Sequence, residues 1–204
     1  FHQARRAAYG RFSSIIDQIS PEIDWLGEAR DTLRKLPSID SSEPCIVVAG
    51  SPNVGKSALI SSLSSGEPEI AAYPFTTKQL HLGHFIHRRR KYQMVDTPGL
   101  LDRPMSKRNN IEMQAIAALE NIGDVLVFLI DSTANATTSL EEQMNLLEEV
   151  TGLISERPKI IVYSKSDLHE KVGMENKFGV SSITGEGIEE LRQTLVEMIG
   201  ADYI

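Results

Sequence analysis

Eight consecutive residues, Gly50-Ser51-Pro52-Asn53-Val54-Gly55-Lys56-Ser57, constrain this chain more than any other stretch. They satisfy the phosphate-loop pattern G-x-x-x-x-G-K-[ST] at every defined position. The flanks suit the motif: Cys45 to Ala49 is an apolar, β-rich run, and Ser57 to Leu63 reads as the helix that follows. The two glycines permit backbone conformations and a close approach to phosphate oxygens that a Cβ would obstruct. Backbone N–H groups between Gly50 and Ala58 then turn inward, and the positive end of the helix adds to the attraction. Lys56 is expected to reach the β- and γ-phosphates, and the Ser57 hydroxyl to ligate Mg²⁺. The competing reading is a glycine-rich turn that contains Lys-Ser by chance; what lies downstream counts against it.

With 204 residues there is room for one good-sized domain and a small appendage. The net charge of -7 argues against a chain that coats nucleic acid by general electrostatics. DNA is therefore not an expected partner, although a local basic patch remains compatible. The single Cys45 lies in an apolar run and has no partner for an internal disulfide, which fits a reducing, cytoplasmic setting. No apolar run approaches the ~18 residues of a membrane span, and the start resembles no signal peptide, so no membrane partner is expected. The chain opens on Phe1 rather than Met, and we expect it to be a piece of a longer protein.

Residues 1–40 are expected to form an N-terminal helical segment, and residues 41–204 the main domain. Within the first, two helices forming a hairpin are predicted. Phe12, Ile15, Ile16 and Ile19 recur at helical spacing. Ser20-Pro21-Glu22 reads as a helix start, with a hydroxyl cap, a proline at the first helical position and an acid near the positive end. Leu26, Ala29, Leu33 and Leu36 make the stripe of the second helix, which Pro37 closes. Beyond the polar linker from Ser38 to Pro44, strand and helix patterns alternate. That alternation predicts an α/β fold with a mostly parallel sheet covered by helices. Leu80 to His87 and Tyr92 to Val95 are expected as a hairpin joined by Arg88-Arg89-Arg90-Lys91. Ile111 to Asn121 is expected as a helix opened by Asn109, and Asp124 to Ile130 as a strand buried on both faces. Ser139-x-x-Glu142 has capping-box spacing, with Leu140, Met144, Leu147 and Ile154 expected inward. Lys159 to Tyr163 is predicted as the next buried strand, Phe178 to Val180 as a short last one. Ile188, Leu191, Leu195 and Met198 mark the final helix.

Asp96-Thr97-Pro98-Gly99 ends the strand beginning near Tyr92. An aspartate there holds Mg²⁺ opposite Ser57, typically through water. Gly99 offers a backbone N–H to a γ-phosphate and lets the next segment swing when that phosphate leaves. Ser164-Lys165-Ser166-Asp167 follows the Lys159 to Tyr163 strand, where guanine-binding proteins place N-K-x-D. The Asp167 carboxylate accepts from the guanine N1–H and exocyclic amine, a donor pair that adenine lacks, and this disfavours an adenine nucleotide. Lys165 is expected to lie over base and ribose. Ser164 stands where asparagine is usual, and its shorter side chain is read as a cost in affinity. Ser181-Ser182-Ile183 occupies the expected place of the last base-contacting loop, with the Ser182 N–H able to meet guanine O6.

Ala72-Tyr73-Pro74-Phe75-Thr76-Thr77-Lys78 lies between the first two motifs. Y-P-F-T-T-K after G-x-P-N-V-G-K-S, followed by D-T-P-G-L-L-D and R-N-x-I-E-M-Q-A-I, resembles the Nog family of nucleolar-type GTP-binding proteins. The likeness is in the style of the archaeal members, within the wider Obg-like group, and it covers nearly the whole chain. The N-terminal helices resemble the end of that family's helical bundle. The resemblance implies a GTPase domain of Ras-like topology that binds GTP and GDP and acts on the large ribosomal subunit, or its rRNA, during assembly. It also implies that Thr77 is the switch threonine that ligates Mg²⁺ and senses the γ-phosphate. Thr76 is the alternative, since adjacent threonines are not separable from sequence.

Leu100 stands where Ras-like enzymes carry a water-orienting glutamine, so intrinsic turnover is expected to be slow. Asn53 stands where the asparagine of K⁺-stimulated GTPases stands. It either helps hold K⁺ beside the β–γ bridge or only shapes the loop. The catalytic set is therefore Lys56, Thr77, Gly99 and Asn53, and the metal set Ser57, Thr77 and Asp96. Two readings follow. One is a slow GTPase switch, and the other a nucleotide-gated ribosome-binding module with negligible hydrolysis of its own. His81, His84 and His87 look like metal spacing, but a strand turns His84 away and separates the outer pair by ~20 Å. Arg88 to Lys91 reads either as a solvated turn or as a grip on rRNA phosphates.

Overall fold

The computed structural model describes residues 2–33, 39–40, 42–66, 68–72, 79–96, 101–102, 116, 122–153, 157–168 and 178–200. The chain divides into two compact units, Phe1–Pro37 and Ser38–Ile204. The first holds a single helix, α1 (His2–Leu33), with Pro21 inside it. This corrects the expected helical hairpin. A proline in a helix interior forfeits one backbone hydrogen bond and costs about 3 kcal/mol. Several turns of helix on either side propagate through that single loss. Ser20 opens no second helix, because its hydroxyl donates within the first, to the Ile16 carbonyl at 2.8 Å. The stripe of Phe12, Ile15, Ile16 and Ile19 thus continues at helical spacing through Ile23 and Leu26.

The second unit is built on a seven-stranded sheet. Its strands are β1 (Cys45–Gly50), β2 (Glu69–Ala72), β3 (Gln79–His87), β4 (Arg90–Asp96), β5 (Val125–Ile130), β6 (Lys159–Tyr163) and β7 (Phe178–Gly179). They lie in the order β2-β3-β4-β1-β5-β6-β7. β4, β1, β5, β6 and β7 run parallel; β3 pairs antiparallel to β4, and β2 antiparallel to β3, so β3 alone of the seven runs the other way. Helices α2 (Lys56–Leu63), α3 (Leu140–Leu153) and α4 (Ile188–Gly200) cover it, with a short 3₁₀ turn at Ser166–Leu168. This is the expected α/β architecture. β1 and β5 are buried along their whole length, so alternate residues feed two cores. Cys45, Val47 and Ala49 pack with Val95, Phe128 and the α3 residues Leu146 and Val150. Ile46 and Val48 pack on the other side with Leu59, Ile60 and Leu63 of α2 and with Leu191 and Leu195 of α4.

Four details differ from the sequence expectation. β2 was not anticipated, since Glu-Ile-Ala-Ala carries one strong strand former, and its pairing with β3 supplies the order. On α3 the capping box forms as expected, with Glu142 N–H to Ser139 Oγ at 3.2 Å and Ser139 N–H to Glu142 Oε2 at 3.1 Å. The buried face is nevertheless Gln143, Leu146, Leu147 and Val150, while Leu140 and Met144 are 48% and 39% exposed. The helix is rotated toward a polar residue because Gln143 has backbone groups to satisfy. Ile154 lies outside the described residues. On α4, Ile188, Leu191 and Leu195 are buried as expected, but Ile199 takes the last deep position and Met198 packs at its margin. β6 is less covered than a strand buried on both faces: Ile161 is 38% exposed, one strand from the sheet edge. The helix expected over residues 111–121 lies outside the described residues except for Ile116, which is buried in the first core.

The hairpin of β3 and β4 is present, with a two-residue turn. His87 pairs with Arg90, and the turn residues Arg88 and Arg89 have φ of 49° and 69°. Positive φ at both positions matches the twist of the strands but is normally met by Asn-Gly. An L-residue with a long side chain is disfavoured there by about 1–2 kcal/mol. Phe85 and Tyr92 stack across the strands with ring centroids 5.0 Å apart. On β4, the Gln93 amide clasps the linker. It accepts from Asp40 N–H at 2.8 Å and donates to the Asp40 carbonyl at 2.8 Å.

Candidate nucleotide-binding site

β4, β1, β5 and β6 are parallel neighbours, so their carboxyl ends share one edge of the sheet. Ligands of open α/β sheets bind outside that edge. Here it carries, in spatial order, Asp96, the phosphate loop, Asp131 and Ser164-Lys165-Ser166-Asp167.

The phosphate loop bends through Gly50, Asn53 and Gly55, with φ of 143°, 63° and 100°. A Cβ on Gly50 would lie 2.5 Å from the Leu129 carbonyl oxygen, so β5 leaves room only for glycine there. Gly55 hands over to α2, which begins at Lys56. The Lys56 ammonium is buried and donates to the Gly50 and Ser51 carbonyls, both at 2.9 Å. Burial lowers its pKa, against the pull of Asp96 and Asp102, which raises it. The cation is thus held over its own loop by two backbone carbonyls.

Ser57 Oγ donates to Asp96 Oδ2 at 2.6 Å. Asp96 is 1% exposed, and its Oδ1 is buried without a hydrogen-bond partner. A hydroxyl and a carboxylate side by side, with one carboxylate oxygen unspent, fit Mg²⁺, a hard cation that takes oxygen donors. Strand register adds a neighbour that sequence reasoning missed. His81 pairs with Asp96 across β3 and β4 and brings Nδ1 to 3.5 Å from Oδ2. The three-histidine spacing was recognised, but the partner of the first histidine depends on register, which no local pattern shows.

The base-side loop is tied down more heavily. Ser164 N–H and Oγ both donate to the Ile130 carbonyl, at 2.9 and 3.3 Å. Lys165 has φ of 58°, and its ammonium meets Asp131 Oδ2 at 2.5 Å. Asp131 is 2% exposed and also accepts from the Thr133 N–H and hydroxyl at 3.0 and 2.7 Å. Burial raises its pKa, but the Lys165 and Thr133 hydrogen bonds outweigh it and leave a net lowering. Gln143 of α3, fully buried, accepts from the Asp131 N–H at 2.9 Å and donates to its carbonyl at 2.8 Å. Neither Asp131 nor Gln143 was singled out from sequence. The aspartate ending a buried strand was a usable signal, whereas a lone glutamine on a helix was not.

Asp167 lies in the 3₁₀ turn. Ser166 links this loop to the next one, through N–H to the Val180 carbonyl at 3.0 Å and Oγ to Glu186 Oε2 at 3.0 Å. There Ser181 Oγ accepts from the Ile183 and Thr184 N–H groups, both at 3.2 Å. The turn is thus held from within. Ile183 is 86% exposed. Thr76, Thr77, Gly99 and Leu100 lie outside the described residues.

Residues 45–165 match a family model described as 50S ribosome-binding GTPase, and residues 1–40 match one described as NOG1 N-terminal helical domain. A nucleolar GTP-binding protein 1 of Encephalitozoon cuniculi is 42% identical over 180 residues, which is 88% of this chain and 34% of the relative. The Caenorhabditis elegans protein of the same name is 34% identical, over 98% of this chain and 32% of its own length. The chain thus spans about a third of these relatives. A crystal structure of a nucleolar GTP-binding protein 1 from Plasmodium falciparum superposes with a TM-score of 0.72 at 32% identity, covering 82% of this chain and 92% of that one. The G domain of the Thermotoga maritima FeoB iron transporter shares the fold alone, at a TM-score of 0.62 and 23% identity. The motifs, the strand order and these matches agree: the chain belongs to the Nog family of nucleolar-type GTP-binding proteins, among the 50S ribosome-binding GTPases.

Proposed function

We propose that this chain is the guanine-nucleotide unit of a slow GTPase, a switch acting on the large ribosomal subunit or its rRNA during assembly, in a cytoplasmic setting. The observation that supports it best is the Ser57–Asp96 contact, with its unspent carboxylate oxygen, at the same sheet edge as Lys56 and Asp167.

Loop N–H groups from Gly50 through Ala58 cradle the phosphates, and Lys56 turns from its own carbonyls to the β- and γ-oxygens. Ser57 and Asp96, with Thr77 or Thr76, are the residues that hold Mg²⁺. Held there, Mg²⁺ would supply positive charge against the nucleotide's phosphates. The Gly99 N–H meets the γ-phosphate and releases its segment when the phosphate departs. On the base side, Asp167 selects guanine, Lys165 covers base and ribose, and the Ser182 N–H meets O6. Water attacks the γ-phosphate in line. Asn53 would help hold K⁺, which would supply positive charge against the phosphates; turnover is then expected to be faster in K⁺ than in Na⁺, and equal rates remove that role.

Calorimetry tests the reading. With Mg²⁺ present, GDP and GTP are expected to bind and ADP and ATP not; ADP held as firmly as GDP overturns it. Leu100 favours a second reading, a nucleotide-gated ribosome-binding module that turns over negligibly by itself. Single-turnover hydrolysis with and without large subunits separates the two.

A further inference from the structure

We propose that the tip of the β3–β4 hairpin, Arg88-Arg89 with Lys91, is a fixed contact for an RNA phosphate backbone, made independently of the bound nucleotide. The inference rests on the ribosome-binding reading above and adds the surface that would carry it.

Three observations converge. First, four consecutive basic residues, Arg88 to Lys91, sit at one turn of a chain whose net charge is -7. Arg88, Arg89 and Lys91 are exposed; Arg88 and Arg89 have no ion-pair partner among the described residues, while Lys91 is near enough to Asp40 for its charge to favour that carboxylate. Second, the turn is strained where it need not be. Both arginines have positive φ, in a two-residue loop for which Asn-Gly is the relaxed solution. The pairing of His87 with Arg90 imposes positive φ on whatever two residues fill the turn, so filling it with two arginines is retained at a cost in strain, which points to a use for the side chains themselves. Third, the arm is stiff. Phe85 and Tyr92 stack below the tip, and the guanidinium of Arg192 lies 5.5 Å from the centroid of the Phe85 ring.

The chemistry favours phosphate. Guanidinium forks match phosphate oxygens in two-pronged geometry, and such contacts position a protein on RNA without reading sequence. The location says when the contact is made. β4 runs parallel to β1, so the turn before Arg90 lies at the end of the sheet opposite the nucleotide edge, with the seven residues of β4 putting roughly 20 Å between them. A contact there is remote from the Ser57–Asp96 pair, and it holds in the GDP and GTP states alike.

The test replaces Arg88→Asn together with Arg89→Gly. Relief of strain is expected to raise Tm by about 2–6 °C. Binding to purified large ribosomal subunits is expected to weaken about tenfold near 0.1 M salt, equally with GDP and a GTP analogue. The salt slope should fall by about 1.5, as for two lost phosphate contacts. The Arg88→Lys, Arg89→Lys variant keeps the charge and should keep most of the binding. GDP affinity should match wild type in both. If the Asn-Gly variant fails to fold, Arg89→Gly alone carries the comparison. Unchanged subunit binding by the Asn-Gly variant overturns the inference, and so does an equal loss in the Lys-Lys variant. Competition by polyglutamate as strong as by poly(U) RNA moves the surface to acidic proteins and also overturns it. A wild-type chain that binds GDP but no subunit sinks the ribosomal partner and this contact together, leaving the nucleotide site standing.

Discussion

Lys165 is the residue whose surroundings change most between sequence and structure. The S-K-S-D pattern was legible, and it carried the expectation that Lys165 covers base and ribose. What was not legible is that its ammonium is anchored on Asp131 and that Gln143 holds the Asp131 backbone from α3. These three residues meet only after β5, β6 and α3 have packed. Three predictions belong at this scale. Asp131→Asn keeps the shape but removes the charge facing Lys165, and should cost about 1–2 kcal/mol, the lower part of the range for a charge-assisted bond because Lys165 is 34% exposed. Urea unfolding reads the loss, and a faster GDP off-rate should accompany it; an unchanged off-rate would mean the anchor leaves the base pocket alone. The pH dependence has a definite sign. A carboxylate whose folded pKa is lowered contributes stability above the ordinary carboxylate range and loses it as pH falls through the lower folded value. The gap between wild type and Asp131→Asn should therefore be full at neutral pH and close in acid. Asp167→Asn replaces an acceptor with a donor toward the purine N1 and exocyclic group, and should move preference from GTP to XTP. Competition binding measures this, and retained GTP preference would remove Asp167 from the base pocket.

Elements were legible wherever local chemistry decided them. The β1–loop–α2 unit, the capping box of Ser139 and Glu142 and the buried β5 need no distant partner to be read. Pro21 misled because helix propagation on both sides outweighs one lost bond, and β2 was missed because its order comes from β3. The face of α3 was misjudged because apolar periodicity has no place for a buried glutamine. Gly83 shows how tightly an element carrying the site is seated. A Cβ there would lie 2.3 Å from Ser64 Oγ and 2.4 Å from Ile60 Cγ2, so β3 and α2 touch through a missing side chain. Gly83→Ala should push α2 off the sheet at a cost of about 1–3 kcal/mol, lowering Tm by about 2–4 °C for each kcal/mol. Since α2 opens with Lys56 and Ser57, GDP affinity should fall as well. A Tm loss with affinity intact would show that the helix tilts about its N-terminal end and leaves the loop in place.

For the molecule as a whole, the sequence placed the boundary near residue 40, and contacts place it between Pro37 and Ser38. The difference matters because of Gln93. Among the described residues, both cores draw on positions from Ile39 onward and none from α1. Chain beginning at Ser38 should therefore fold, keep its Tm within a few degrees and bind GDP as the longer chain does. Chain beginning at Glu43 lacks Asp40, whose N–H and carbonyl satisfy the amide of Gln93, a side chain only 6% exposed. The amide NH₂ keeps its 3.3 Å bond to the Glu43 carbonyl, but Oε1 loses its donor, and a buried acceptor left unpaired costs about 1–3 kcal/mol. The shorter chain should then unfold about 2–6 °C lower than the one starting at Ser38. Thermal unfolding of the two side by side decides the point. Equal midpoints would mean that water replaces the clasp and that the linker does not belong to the nucleotide-binding unit. A fold lost already at Ser38 would mean that α1 contributes to a core the described contacts assign entirely to the sheet.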